Sequence, residues 1–160
     1  MQLHSSGGKG TVIVMIDVED SIVIDRPIGE VFDFLADQTN APRWQNGLEQ
    51  VRRITDGPPG VGTKHVVVRK FLGRKLDLIN EYAQFEPNAE ITFTGASGPS
   101  RFEVTYRTEE TAEGTRLSCH MRMEQKGLFA LADRVVAEGL RRDFAANLRN
   151  LKALLETRAE

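Results

Sequence analysis

Two hydrophobic rhythms divide the chain. Over residues 12–24 the sequence is rich in Val and Ile with acidic interruptions, which predicts a β-strand. Asp25-Arg26-Pro27 stops it, with Asp25 as a candidate cap and Pro27 at the favoured first helical turn. Ile28, Val31, Phe32 and Leu35 then follow at helical spacing and predict a short helix over 28–36. Residues 40–44 read as a loop with one further helical turn.

From residue 48 to 125 the period becomes two. Short β-rich runs at 48–55, 63–71, 74–85, 90–95, 101–108 and 115–124 alternate with turn-forming residues such as Asp56-Gly57-Pro58-Pro59-Gly60-Val61-Gly62, Pro87-Asn88 and Glu113-Gly114. Connections this short predict antiparallel neighbours in a meander. In one run Phe102, Val104 and Tyr106 oppose Arg101, Glu103, Thr105 and Arg107; in another Leu117, Cys119, Met121 and Met123 oppose Arg116, Ser118, His120, Arg122 and Glu124. One face packs and the other is wet. The run at 74–85 breaks its own alternation: Leu76 and Leu78 share one side, Ile79, Ala83 and Phe85 the other. A bulge near Ile79-Asn80 would reconcile them and turn Glu81 or Tyr82 inward, with Arg69 as the partner a buried Glu81 needs.

The final segment, 128–157, carries Val136, Leu140, Phe144, Leu148, Leu151 and Leu155 at steps of three and four. This is one continuous apolar stripe on a helix of about 45 Å, long enough to cover the sheet's apolar face. Gly139 within it predicts a kink or a close approach. The predicted fold class is α+β: seven antiparallel strands whose apolar face a long C-terminal helix covers, with two short helices between the first and second strands.

Composition narrows the class. The chain has 160 residues, with 21 Lys plus Arg against 23 Asp plus Glu, a formal net charge of −2. A chain this long buries roughly 70% of its unfolded surface and needs no metal or disulfide to fold. The charge balance argues against nucleic acid as partner, and no stretch approaches the ~20 apolar residues that span a bilayer. Residues 1–10, short, polar and glycine-rich, read as a disordered or appended leader before a single domain at 11–160, and Met15 is a candidate initiator. A cytoplasmic protein is expected. The lone cysteine, Cys119, alternates with apolar neighbours and reads as a core or cavity wall. The oligomeric state stays open between monomer and homodimer, because the long first strand leaves a pairing edge.

Few residues carry candidate chemistry. Gly57 and Gly62 have phosphate-loop spacing, but Thr63-Lys64 replaces the required Lys-Ser/Thr and a Val-rich strand follows, so a turn is expected. No metal-ligand pattern is present, and no cofactor is implied. His4 falls in the leader and His120 on the wet face. His65 shares a side with Thr63, Val67, Arg69 and Phe71, but Val66 and Val68 occupy the other. Parity leaves it open between an interior cavity and a surface or satisfied structural position. Trp44 either plugs the end of the core or frames an entrance.

The words themselves carry a resemblance. Ser21-Ile22-Val23-Ile24-Asp25-Arg26-Pro27-Ile28-Gly29-Glu30-Val31-Phe32-Asp33-Phe34-Leu35-Ala36-Asp37 resembles the opening of the polyketide cyclase/dehydrase and lipid-transport families of the START/SRPBCC superfamily. Arg43-Trp44, the 55–63 loop, Ile79-Asn80-Glu81-Tyr82 and the ending Leu148-Arg149-Asn150-Leu151-Lys152-Ala153-Leu154-Leu155-Glu156 are similar to its later words. The resemblance covers residues 16–157 and implies the helix-grip fold, a seven-stranded antiparallel curved sheet wrapped around the long C-terminal helix, with an apolar cavity between them. It implies a small hydrophobic or aromatic ligand, lipid- or polyketide-like. Trp44, Phe93, Tyr106, Met121 and Met123 are expected near the concave face, with Val67, Cys119, Leu140 and Phe144 completing the wall. The alternative is a polyketide aromatase/cyclase or dehydratase in which His65, Arg69, Glu81 and Tyr82 converge as acid/base and anchoring groups. A protein-interaction module with a vestigial cavity is the third reading.

Overall fold

A computed structural model of the chain describes residues 2–5, 12–71, 73–97, 100–126 and 133–157. The strands are β1 (Gln2–Ser5), β2 (Val12–Ile24), β3 (Leu48–Arg53), β4 (Lys64–Phe71), β5 (Arg74–Glu86), β6 (Glu90–Ser97), β7 (Ser100–Thr111) and β8 (Gly114–Lys126). Helix α1 (Ile28–Ala36) and a 3-10 helix (Gln38–Arg43) stand between β2 and β3, and α2 (Asp133–Thr157) ends the chain. All strand pairs are antiparallel, in the order β1-β2-β8-β7-β6-β5-β4-β3. The chain crosses from β2 to the far edge through the two short helices and then meanders back to lie against β2. The predicted seven strands are all present.

An eighth strand corrects the reading of the leader. Gln2–Ser5 pairs with β2, Gln2 opposite Met15 and Ser5 opposite Val12, so part of residues 1–10 has regular structure. Residues 1 and 6–11 lie outside the described residues, as do 127–132 at the start of the predicted long helix and the side chain of Val136 on its stripe.

The inner sheet face and α2 share one core. Ile16, Val18, Ile24, Leu117 and Cys119 from the sheet pack with Val31, Phe32 and Leu35 of α1 and Leu148, Leu151 and Leu155 of α2. The end of α2 is latched to the β2–α1 turn. Arg26 donates from Nε to the Leu155 carbonyl at 2.9 Å and from Nη2 to the Glu156 carbonyl at 3.1 Å. These are carbonyls that a helix C-terminus otherwise leaves without partners, and a cation there also complements the helix dipole. Lys152 Nζ donates to the Val23 carbonyl at 2.6 Å. Asp25 is no helix cap: its backbone N–H donates to Glu156 Oε1 at 3.0 Å, and Pro27 itself occupies the N-cap position.

Two further expectations need correcting. No bulge lies at Ile79-Asn80; β4 and β5 pair without interruption from Lys64–Glu81 to Phe71–Arg74. The register shifts instead between Tyr82 and Gln84, on the β6 side. Leu76, Leu78, Asn80 and Tyr82 therefore stay on the inner face, Ile79, Glu81 and Ala83 are exposed, and the extra residue returns Phe85 inward. A Cβ on Gly139 would meet nothing within 4 Å, so no close approach requires that glycine. The 57–62 loop is the expected turn, with Gly57 and Gly62 both at positive φ.

Candidate functional site

The packed side chains do not fill the space between the sheet and α2. A cavity of about 690 Å³ opens between the inner face of β3–β8, the 3-10 segment and the middle of α2. That is within the range of roughly 300–1,000 Å³ typical of small-molecule sites. Its wall includes all nine residues expected there: Trp44, Val67, Phe93, Tyr106, Cys119, Met121, Met123, Leu140 and Phe144. Trp44, Tyr106 and Phe93 form a connected aromatic floor backed by Tyr82. Trp44 and Tyr106 rings are 6.3 Å apart, Tyr106 meets Phe93 edge-on at 5.6 Å, and Phe93 lies 6.3 Å from Tyr82. Trp44 is both buried and on the wall, so it closes the core and faces the cavity at once.

The four groups named for acid/base work do not converge. Arg69 lines the cavity. Glu81 is exposed on the outer face of β5, which removes it as a partner for Arg69. Tyr82 is fully buried behind the wall and donates its hydroxyl hydrogen to the Ala36 carbonyl at 2.7 Å. Burial raises its pKa further. His65 is inward and 1% exposed, packed 5.5 Å from the Tyr82 ring but outside the lining. Burial lowers its pKa; the facing Asn80 opposes that, Arg53 adds to it, and Asp37 opposes it.

What gathers around Arg69 instead is a polar pole that hydrophobic periodicity did not show. Arg69 Nη2 donates to Gln45 Oε1 at 2.8 Å, and Gln45 Nε2 donates to the Tyr106 hydroxyl at 3.4 Å. Asp143 and Asn147 of α2 also face this cavity. Burial pushes the Arg69 guanidinium down from its ordinary value, opposed by Tyr106 and then by Asp143 acting through space. Burial holds the Tyr106 phenol and the Cys119 thiol well above their usual ranges, so both are neutral groups. The 44–47 segment that carries Gln45 is tied to α2: Asn46 N–H donates to Asn147 Oδ1 at 2.9 Å, and Asn150 Nδ2 donates to the Trp44 carbonyl at 3.2 Å. The spacing of Leu140, Asp143, Phe144 and Asn147 held the signal that would have found the two helix residues; for Gln45 there was none beyond its place after Trp44.

A family model described as polyketide cyclase/dehydrase and lipid transport matches residues 15–156. No curated protein sequence matches. Among solved structures, the chain is similar to TTHA0849 from Thermus thermophilus, with a TM-score of 0.77 at 17% identity, covering 90% of this chain and 99% of that one. It is also similar to the ZhuI aromatase/cyclase from Streptomyces sp. R1128, with a TM-score of 0.75 at 14% identity over 92% and 97% of the two chains. Ara h 8.0201 superposes with a TM-score of 0.68 at 12% identity over 90% and 99%. At such identities the likeness speaks for the helix-grip fold.

Proposed function

The chain belongs to the polyketide cyclase/dehydrase and lipid-transport family, and on that premise we propose that it binds one small, mainly apolar molecule whose single acidic or carbonyl oxygen is held by Arg69. The observation that carries this reading is the pairing of an apolar cavity of about 690 Å³ with one inward cation whose hydrogen bond, among the described residues, is to the neutral Gln45. A guanidinium has five N–H donors in a fixed fork. Taking it out of water costs free energy that one neutral acceptor does not return. A ligand oxygen entering beside Gln45 supplies the missing acceptor, while Phe93, Met121, Leu140 and Phe144 take the apolar body. The methionines suit an adaptable wall.

Binding is favoured over turnover because the four groups that acid/base chemistry would recruit are dispersed: Glu81 faces outward and the Tyr82 hydroxyl is committed to Ala36. The interaction-module reading has less support, since the large apolar side chains exposed among the described residues fall on separate segments: Ile54 and Val61 in the β3–β4 connection, Ile79 on β5 and Val135 on α2. No helix among the described residues is long and apolar enough to cross a membrane.

The test is a fluorescence titration with anilinonaphthalene sulfonate, an aromatic anion, followed by competition with decanoate. Saturable binding of one probe per chain, displaced by decanoate, is expected, and native mass spectra should show a single decanoate adduct. Binding without saturation, or a saturable signal that decanoate leaves untouched, overturns the reading.

A further inference from the structure

The wall around Arg69 also carries an acid. Asp143 stands on α2 among Leu140, Phe144 and Asn147, and all four belong to the cavity lining. Arg69 reaches the same space from β4. It is half-buried whereas Asp143 is exposed, so the two mark a place where the cavity meets water. The surrounding hydrogen bonds bring them to one end. Arg69 donates to Gln45, the adjoining Asn46 donates its N–H to Asn147 Oδ1 at 2.9 Å, and Asn147 lies one helical turn beyond Asp143. Lys70, the next cation on β4, is turned to Glu49 at 3.9 Å.

Arg69 and Asp143 do not close on each other as an ion pair; the carboxylate acts on the guanidinium only through space. Nor does its own helix satisfy Asp143. The positions three and four residues away are Gly139, Leu140, Ala146 and Asn147, none of them basic. A cation from the sheet and a carboxylate from the helix thus face one opening with room between them. A plain carboxylic acid fits only half of this arrangement, since the oxygen that accepts from Arg69 brings a like charge toward Asp143. A head that also presents an O–H donor beside its acid is complementary to both groups.

We propose that Arg69 and Asp143 grip one ligand head between them, and that the preferred ligand is an apolar 2-hydroxy acid. Its carboxylate accepts from Arg69, its hydroxyl donates to Asp143, and its tail runs over Phe93, Met121 and Phe144. With the head held at two points and the tail at a third, the site distinguishes the two enantiomers of the hydroxyl-bearing carbon. The inference rests on the cavity-binding reading above and names the ligand class more closely.

Calorimetry on the wild-type chain compares decanoate, the two enantiomers of 2-hydroxydecanoate, and 10-hydroxydecanoate, an isomer with its hydroxyl at the far end. One 2-hydroxy enantiomer is expected to bind ~10-fold tighter than decanoate and than the isomer, the equivalent of one hydrogen bond to a charged group. A merely apolar wall would instead bind any hydroxy acid more weakly than decanoate. In Asp143→Ala the preference should fall to within about twofold, while decanoate binds at least as tightly as to the wild type because a like charge has gone. Alanine suits this exposed helical position. If the variant does not fold, the wild-type comparison decides alone. Equal affinities for decanoate and both enantiomers overturn the grip and leave the cavity reading standing, as does a preference that survives in Asp143→Ala. Failure of every acid to bind removes both.

Discussion

Gln45 Oε1 accepts a hydrogen bond from Arg69 Nη2 at 2.8 Å, placing a neutral amide where an inward guanidinium would ordinarily meet a carboxylate. The neighbouring phenol of Tyr106 does not supply the missing charge, because burial raises its pKa well above the usual value. Asp143 acts on the cation only through space. The cation is thus available to a ligand that brings an acceptor oxygen.

Replacing it separates the two effects. Arg69→Met keeps the length and apolar contact of the side chain and removes its charge. Decanoate affinity is expected to fall ~10–100-fold, the loss of one charge-assisted hydrogen bond. Decanol, with the same chain and no charge, should bind within about threefold of wild type. The melting temperature should stay level or rise, since a poorly paired, half-buried charge has been removed. Equal losses for acid and alcohol, by calorimetry, would mean that Arg69 shapes the cavity without holding an anion.

Tyr82→Phe tests a residue that the sequence nominated for chemistry and the structure places in support of α1. The lost hydroxyl leaves the Ala36 carbonyl, at the end of α1, without its partner at 2.7 Å. A cost of about 1–2 kcal/mol is expected, which lowers the melting temperature of a domain this size by about 3–6 °C. Decanoate binding should be unchanged, because Tyr82 lies behind the lining. A variant that melts normally but fails to bind would return Tyr82 to the site.

The contrast between these two residues shows what the sequence could reveal. Strict alternation in the runs holding Phe102–Tyr106 and Leu117–Met123 marked the inner face and with it Tyr106, Cys119, Met121 and Met123, whereas Trp44 sat in a loop and Val67 in a strand with valines on both sides. The helix at 28–36 was equally legible from four apolar residues and a proline. Tyr82 and Glu81 were harder, because one extra residue in a strand exchanges its faces. Where that residue sits depends on pairing with β6, which local pattern does not record. Gln38, Gln45 and Asn80 were invisible for a different reason. Polar residues in a loop, a 3-10 turn or a strand ordinarily face water, and only the tertiary fold turns these three toward the cavity.

The stability of the fold should respond to pH through His65. Burial lowers its pKa below the ordinary 6.5, so near that pH the unfolded chain binds a proton that the native chain does not. Its contribution is therefore fully present above pH 6.5 and is lost as pH falls through the folded value. Wild-type stability should decline from pH 6.5 downward, by at most about 1.4 kcal/mol per pH unit from this one group. The Glu156 carboxyl, lowered chiefly by its hydrogen bond from Lys152, also loses its contribution on acidification, but only below its ordinary 4.5. The two windows open at different pH, 6.5 and 4.5. Urea denaturation of His65→Gln across the upper window should give a flatter profile than wild type; parallel profiles would exclude a buried neutral imidazole.

Two glycines carry opposite predictions from the same substitution. Gly139 lies inside α2 on an exposed turn, and an added Cβ would have open space around it. Gly139→Ala should raise stability by ~0.5–1 kcal/mol, through helix propensity and a less flexible unfolded chain. Gly95 on β6 pairs with Phe102 on β7, and the absent side chain leaves room for the Phe102 ring beside it. A Cβ there would overlap the ring tip, with Cε1 at 2.8 Å and the Ile79 carbonyl oxygen at 3.0 Å. The backbone oxygen belongs to a paired strand and cannot retreat cheaply, so the ring must move, and Phe102 is part of the cavity wall. Gly95→Ala should therefore cost about 1–3 kcal/mol. It should also weaken decanoate, because the displaced ring enters the ligand's space. Urea midpoints at unchanged m-value measure the first effect and calorimetry the second. Loss of stability with unaltered decanoate affinity would place the Phe102 ring away from the bound ligand, toward the outer face of the sheet.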